Sequence, residues 1–518
     1  MRINQLYFLG VILLSTLLTG GCKNTRSLIT HYDMPSTEEE YRQHIQSLQA
    51  EIAAPRVPYK LTLSQEEMLL DSLLDHERKE LLDQYEEEGY FPPARYFFGW
   101  QKHMEATQLF KVISHMPKGG IHHLHGSASL TADWIMNKAM AMEEAYVYWG
   151  PPSEIYKKGQ VSVFSLEEVP TGFFRPTALQ KSDSSFQEYW YDLLTLDSKA
   201  EADSVDIWSE FEGYFESVYN FLSYRPVYEA FYRASFLHLM SDGIQHVELR
   251  NGFEGMYDLT HDQSYYTADS MIQILQNLEK EMQEQEPAFS LSLIYSNLRR
   301  RDTEFIQTDM ERAIFLRKKY PDMMKGYDLV GEEDAGHRTG FFAKNWVAIK
   351  ELEEQYAITL PLYLHNGESN WVTNDNLLDT YLLRSRRIGH GFNLYRFPAL
   401  WEKLKDRDVC VEICPISNQV LGYIRDLRNH PGYLYIQLGI PVSISSDDPS
   451  IFQYKGVSPD YWAVYLAWNL DLSTVKKLCQ NSLLYSSLSE ERKLQSLAAW
   501  ERKWDVFVKT SIQDLQSD

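Results

Sequence analysis

The 518 residues carry 50 Lys and Arg against 73 Asp and Glu, a net charge of −23, with 44% hydrophobic residues, 14% aromatic residues and four cysteines. This excludes a disulfide-stapled miniprotein, a basic nucleic-acid binder and a low-complexity chain, and leaves apolar surface for one large domain plus attachments. The acidity repels phosphate backbones, so no nucleic-acid partner is expected, whereas a neutral small molecule meets no such barrier.

Residues 1–22 open with Met-Arg, continue in an apolar run from Leu6 to Leu18, and end Thr19-Gly20-Gly21-Cys22. This is the pattern of an export signal, and its apolar run is shorter than the ~20 residues of a membrane-spanning helix. It resembles a bacterial lipoprotein signal, in which Cys22 becomes the lipid-bearing first residue. That resemblance implies a cell-envelope lipoprotein, periplasmic or on the outer surface; ordinary secretion is the alternative. A helix is expected from Ser36 to Ala53, and another after Ser64, where Ser-Gln-Glu-Glu67 forms a capping box and an apolar stripe runs to Leu82 before Gly89. Residues 23–110 therefore read as an N-terminal helical extension. Cys410 and Cys414 share one strand-like segment. At about 3.3 Å per residue they stand about 13 Å apart, too far for a bridge.

From Gly119, short apolar runs alternate with helix-like stretches: Ile121–His125, Ile244–Arg250, Leu291–Ser296, Gly326–Gly331, Leu360–His365, Arg387–His390, Val409–Cys414 and Val442–Asp447. Eight such units predict an α/β fold, a (β/α)8 TIM-type barrel of residues 111–139 and 226–518. The long gap after the first strand predicts an inserted subdomain over residues 140–225.

Four of the eight segments end in groups able to bind metal or move protons, on the face where such barrels carry their active sites. Strand alternation turns His123 and His125 to one face and His122 to the other. The fifth segment ends His365-Asn-Gly-Glu368, the sixth Gly-His390-Gly, and the eighth Ser-Asp447-Asp448-Pro. Each alone has a bland reading: a hydrogen-bonded histidine pair, a helix-start acid, a loop cap, a solvated Asp-Pro turn. Together they offer three imidazoles and one aspartate, an N3O set suited to one Zn²⁺ per chain, with Glu368, His390 and Asp448 left over for proton transfer and substrate contact.

Met116-Pro-Lys-Gly-Gly-Ile-His-His123-Leu-His125, His365-Asn-Gly-Glu368, Arg387-Ile-Gly-His390-Gly and Ser446-Asp447-Asp448-Pro449 resemble the adenosine deaminases, most closely the growth-factor-type (type 2) branch. Gly326-Tyr-Asp-Leu-Val-Gly331-Glu-Glu-Asp, Glu412-Ile-Cys-Pro-Ile-Ser-Asn-Gln, Asp426-Leu-Arg-Asn-His-Pro and Trp208-Ser-Glu-Phe add to the likeness. The resemblance implies a metal-dependent hydrolase that converts adenosine, and 2′-deoxyadenosine, to inosine and ammonia. It implies zinc on His123, His125, His365 and Asp447, with Glu368 as proton donor to the purine. His390 would orient and deprotonate the attacking water, Asp448 would meet the imidazole edge of the base and Gly331 its pyrimidine edge, and Trp208 would line the ribose end. It also implies a homodimer through the N-terminal helices. After His125 the chain departs from the pattern: it reads Gly126-Ser127, where the family commonly has a sugar-binding aspartate, and Asn366 replaces the usual alanine. The alternatives are a deaminase of another aminopurine or of a nucleotide, with Arg299-Arg300-Arg301 as a phosphate contact, and a non-catalytic surface binding or signalling protein.

Overall fold

The computed structural model describes residues 37–53, 59, 61–151, 159–197, 206–259 and 266–517. The signal segment and Cys22 lie outside the described residues. The chain divides into two units, Met1–Pro55 and Arg56–Asp518. Helix α1 (Glu38–Ala53) is the described structure of the first.

The second unit begins with α2 (Gln65–Glu88), which starts and stops where its caps dictate. Ser64 Oγ accepts from Glu67 N–H at 3.1 Å, Glu67 Oε2 accepts from Ser64 N–H at 2.7 Å, and Gly89 closes the helix in the left-handed conformation.

Strand β1 (Gly119–His125) is followed by a small antiparallel sheet, in the order β3-β2-β4, of β2 (Ala145–Tyr148), β3 (Val161–Val163) and β4 (Phe173–Phe174). Helices α3 (Ile207–Ser223) and α4 (Arg225–Ser241) then lead to β5 (Ile244–Asn251). The remaining strands are β6 (Ser290–Leu298), β7 (Met324–Val330), β8 (His365–Asn366), β9 (Arg387–His390), β10 (Cys410–Ile413) and β11 (Val442–Ile444), with helices between successive strands. They form two parallel ribbons, β1-β5-β6-β7 and β8-β9-β10-β11. Single bridges Leu124–Asp447 and Tyr327–Leu362 join the ribbons at both seams. The ring of eight is thereby the barrel expected from the sequence, with no free sheet edge to protect.

Two details differ from the expected strands. The fifth is regular over His365 and Asn366 alone, because Pro361 cannot donate to the ladder; Tyr327 N–H still reaches Pro361 O at 2.9 Å and Tyr363 N–H reaches Tyr327 O at 3.0 Å. His122 does not turn away from the barrel interior. The β1–β5 register slips between Ile121 and Leu124, so consecutive residues share a face. The His122 ring is fully buried, 3.0 Å from Ser443 Oγ and within the fields of Arg387 and Glu248. Cys410, Cys414 and Cys479 are free and buried.

Candidate active site

The C-terminal strand ends bring His123, His125, His365 and Asp447 together. Nε2 of His365 lies 2.8 Å from Nε2 of His123 and 3.3 Å from Nε2 of His125, and Asp447 Oδ1 lies 3.3 and 3.2 Å from the same atoms of His123 and His125. These spacings bracket the edge of a tetrahedron with metal–nitrogen bonds of about 2.0 Å.

The protein fixes which nitrogens point inward. His123 Nδ1 faces Glu412 Oε2 at 2.9 Å, and His365 Nδ1 faces Asp328 Oδ2 at 2.6 Å. A carboxylate only accepts, so each Nδ1 carries the proton and each Nε2 turns a lone pair toward the other. Two lone pairs 2.8 Å apart repel unless a cation lies between them. Burial pushes His365 down to about 3 and lowers His125, keeping both neutral as metal ligation requires. Against burial and the Arg250 charge, Asp447 and Glu412 raise His123, which marks the space between those carboxylates as one that favours positive charge. Asp447 Oδ1 is buried without a hydrogen-bond partner. The residues present thus fit a divalent cation.

Beneath the donors lies a layer of buried charge that the strand patterns did not disclose. Glu412 accepts from Arg250 Nη2 at 2.6 Å and Arg387 Nε at 2.5 Å, Arg387 Nη2 reaches Glu248 at 2.5 Å, and Arg250 Nε reaches Asp328 at 2.7 Å. Burial alone would raise Asp328 and Glu412; instead His365 and Arg250 hold Asp328 low, and Arg250, Arg387 and His123 hold Glu412 low. The signal was present in Ile244–Asn251, where His246, Glu248 and Arg250 recur at every second position of an apolar strand.

Glu368 is aimed by its loop. Gly367 holds φ +75°, and a Cβ there would stand 2.6 Å from Asn393 Oδ1, so only glycine makes this turn. Glu333 fastens it by accepting from Gly367 N–H at 2.8 Å, Ser369 N–H at 3.1 Å, Asn374 Nδ2 at 2.6 Å and Asn376 Nδ2 at 2.8 Å. Burial, then the charges of Asp447 and Glu333, push the Glu368 carboxyl well above its ordinary range. Burial and Asp447 do the same to Asp448, whose Oδ1 has no partner. Asn366, by contrast, turns away, bonding Thr380 Oγ1 at 2.7 Å and Thr339 Oγ1 at 2.6 Å.

His390 Nε2 is 3.5 Å from Glu368 Oε1 and 3.8 Å from Asp447 Oδ2, and burial holds the ring neutral. Gly432 N–H donates to His430 Nδ1 at 3.0 Å, so the His430 proton sits on Nε2, which faces Asn418 Oδ1 at 3.0 Å. The Asn418 amide nitrogen then faces His390 Nδ1 at 3.4 Å and leaves the His390 proton on Nε2, toward the site. His390 and Asp447 both adopt left-handed φ, 58° and 62°, a backbone cost of the kind that collects at functional sites.

All nine residues singled out from the sequence line or border one cavity of about 570 Å³, His123 as the buried donor behind it. One face of α3 packs inward through Phe211, Tyr214, Val218 and Phe221, and Trp208, Glu212 and Glu216 line the mouth. Trp208 is fixed by its Nε1–H to Tyr423 Oη at 3.0 Å.

A closed parallel barrel with this buried donor set defines a metal-dependent hydrolase of the amidohydrolase type. The family model "Adenosine deaminase" matches residues 191–499. Adenosine deaminase 2 of Dictyostelium discoideum is 34% identical over 408 residues, covering 78% of this chain and 75% of that protein. Adenosine deaminase 2 of Sus scrofa is 30% identical over 469 residues, covering 87% and 90%. The solved structure of the Arabidopsis N6-mAMP deaminase superposes with a TM-score of 0.55 at 17% identity, over 76% of this chain and 99% of that one, which shows the shared fold. The chain belongs to the adenosine deaminase family.

Proposed function

We propose that this chain is a zinc-dependent adenosine deaminase that adds water at C6 of adenosine or 2′-deoxyadenosine and releases inosine or its deoxy counterpart and ammonia. The observation that carries this reading is the meeting of four donor atoms, each imidazole but one aimed by its own buried carboxylate, with a protonated acid, Glu368, in one cavity. Held by His123, His125, His365 and Asp447, zinc would supply Lewis-acid activation of water at neutral pH.

The chain's own groups do the rest. Glu368 gives its proton to N1, which takes up the electron pair displaced when the oxygen of water, its first proton released to solvent, adds to C6 as hydroxide; a solvent proton restores the Glu368 acid once ammonia has left. As carboxylate it then accepts the proton of the added hydroxyl and passes it to the amino group, which leaves as ammonia. His390, with its proton on Nε2, orients the attacking oxygen as a donor; that nitrogen is not free to deprotonate the water, the part of the role implied by the resemblance that this tautomer does not support. Protonated Asp448 donates to the imidazole edge of the base, Gly331 offers its backbone to the pyrimidine edge, and Trp208 borders the sugar end. Glu368→Gln keeps the shape but has no proton to transfer: zinc content stays at one per chain while kcat falls about 10²–10⁴-fold. Near-normal turnover with zinc retained would remove Glu368 from this role. Because Glu368 must be protonated, kcat/KM holds at low pH and falls as pH rises through its raised pKa. That fall lies well above the ordinary 4.5.

The mouth favours a nucleoside over a nucleotide. Arg300 is taken by Glu212 Oε2 at 2.5 Å, with Glu216 at 3.6 Å, Arg299 is buried on the carbonyls of His365 and Leu329, and Arg301 lies over Phe305. Among the described residues only Arg301 of the three keeps its N–H groups free of a hydrogen bond or ion pair at the cavity wall, and the Glu212 and Glu216 carboxylates that line the same cavity repel a phosphate there. Loss of absorbance at the purine maximum with adenosine, 2′-deoxyadenosine, adenine and AMP tests the order. A non-catalytic binder would show no stoichiometric zinc and no ammonia. Export with a lipid on Cys22 predicts fatty-acid incorporation that Cys22→Ser abolishes, and pairing through residues 23–110 predicts the light-scattering mass of two chains.

A further inference from the structure

The departure after His125 is filled from elsewhere in the fold. A Cβ at Gly126 would stand 2.5 Å from Tyr232 Oη and 2.8 Å from Asn251 Oδ1, closer than real Cβ contacts. The space that a side chain at 126 would use is therefore held by a pair from α4 and the end of β5. Tyr232 donates its hydroxyl to Asn251 Oδ1 at 3.2 Å. That bond fixes the orientation of the amide: oxygen toward the tyrosine, nitrogen away from it. Among the described residues, no acceptor takes the Asn251 Nδ2 protons.

Both residues line the cavity that also holds His125, Glu368 and Asp448. The nearby amide of Asn297 is spent, its nitrogen on Asp309 Oδ1 at 3.2 Å and its oxygen on Leu298 N–H at 2.8 Å. With the heterocycle between Glu368, Asp448 and the donor cluster, the substrate's pentose extends along the remaining wall. Its hydroxyls are neutral and call for a neutral donor fixed in direction. We propose that Asn251, oriented by Tyr232, donates through Nδ2 to one hydroxyl of the substrate's pentose and so selects a nucleoside over the free base. This assignment rests on the deaminase reading above.

The test is kcat/KM of the full-length, zinc-loaded enzyme on adenosine and on its 2′-deoxy, 3′-deoxy and 5′-deoxy analogues. Asn251→Ala is expected to lower the adenosine value roughly tenfold, the scale of one directed hydrogen bond, and to leave one analogue unaffected, the one lacking the contacted hydroxyl. Tyr232→Phe keeps the ring and frees the amide, so it should repeat the pattern at smaller size. Equal losses on all four substrates in both variants, or no loss on any, overturn the assignment while the deaminase reading stands. A wild-type enzyme that releases no ammonia from any of the four overturns both.

Discussion

The carboxylates below the donor cluster and those above it are held in opposite states. Glu248, Asp328 and Glu412 sit on Arg250, Arg387 and the histidine rings and are kept ionised despite complete burial. Glu368 and Asp448, equally buried, have no Lys or Arg ion pair among the described residues and are pushed toward the neutral acid. The same residue type thus does two jobs. Below, a fixed negative charge pins Nδ1–H and aims a lone pair; above, a retained proton is available to a ring nitrogen.

Breaking the lower layer should have the largest effect. Glu412 is shared by His123, Arg250 and Arg387, so Glu412→Ala leaves two guanidinium groups under-paired in the barrel. Removing one partner of a buried ion pair costs about 3–5 kcal/mol, and a large drop in thermal midpoint together with substoichiometric zinc is the expected result. Wild-type stability and zinc content would show that the arginines do not depend on it. Asp328→Asn is milder, since an amide still meets His365 Nδ1 but no longer dictates its tautomer or balances Arg250. Zinc affinity, measured by competition with a chelator, should weaken about 10–100-fold, with the fold retained.

How far these layers are legible in the sequence follows the same division. His123, His125, His365 and Asp447 announce themselves because each ends an apolar run, where a polar residue needs a reason. Their supports do not, because the reason lies across the barrel: Arg387 meets Glu248, 139 positions away, and Arg250 meets Glu412, 162 positions away. His122 shows the limit of strict alternation, which a register slip overrides. Asn418 and His430 lie in stretches that resemble the family, yet nothing in those stretches reveals that they face one another.

That relay gives a sharper test of the upper layer. Asn418 touches neither the donor cluster nor the cavity; it acts through His390 Nδ1. Asn418→Ala frees His390 to place its proton on either nitrogen, so kcat should fall roughly five- to tenfold, the worth of one hydrogen bond, with zinc content and KM unchanged. If kcat is unaffected, the His390 tautomer is set by something else. A matched fall in zinc content would make Asn418 a structural residue only.

The smallest effect is expected at the mouth, where charge is half exposed and solvent screens it. Glu212 and Glu216 lie on successive turns of α3 and together face Arg300. A 5′-phosphate arriving there meets two carboxylates and a guanidinium already engaged. In Glu212→Gln/Glu216→Gln the guanidinium is released and the repulsion removed, so the ratio of kcat/KM for AMP to that for adenosine should rise several-fold at low salt. Because the Debye length is about 8 Å at 0.15 M ionic strength and about 3 Å at 1 M, the gain should fade as salt is added. A ratio that does not move at low salt would mean that nucleotides are turned away deeper in the cavity. A rise that persists at 1 M salt would point to shape rather than charge as what the two glutamates contribute.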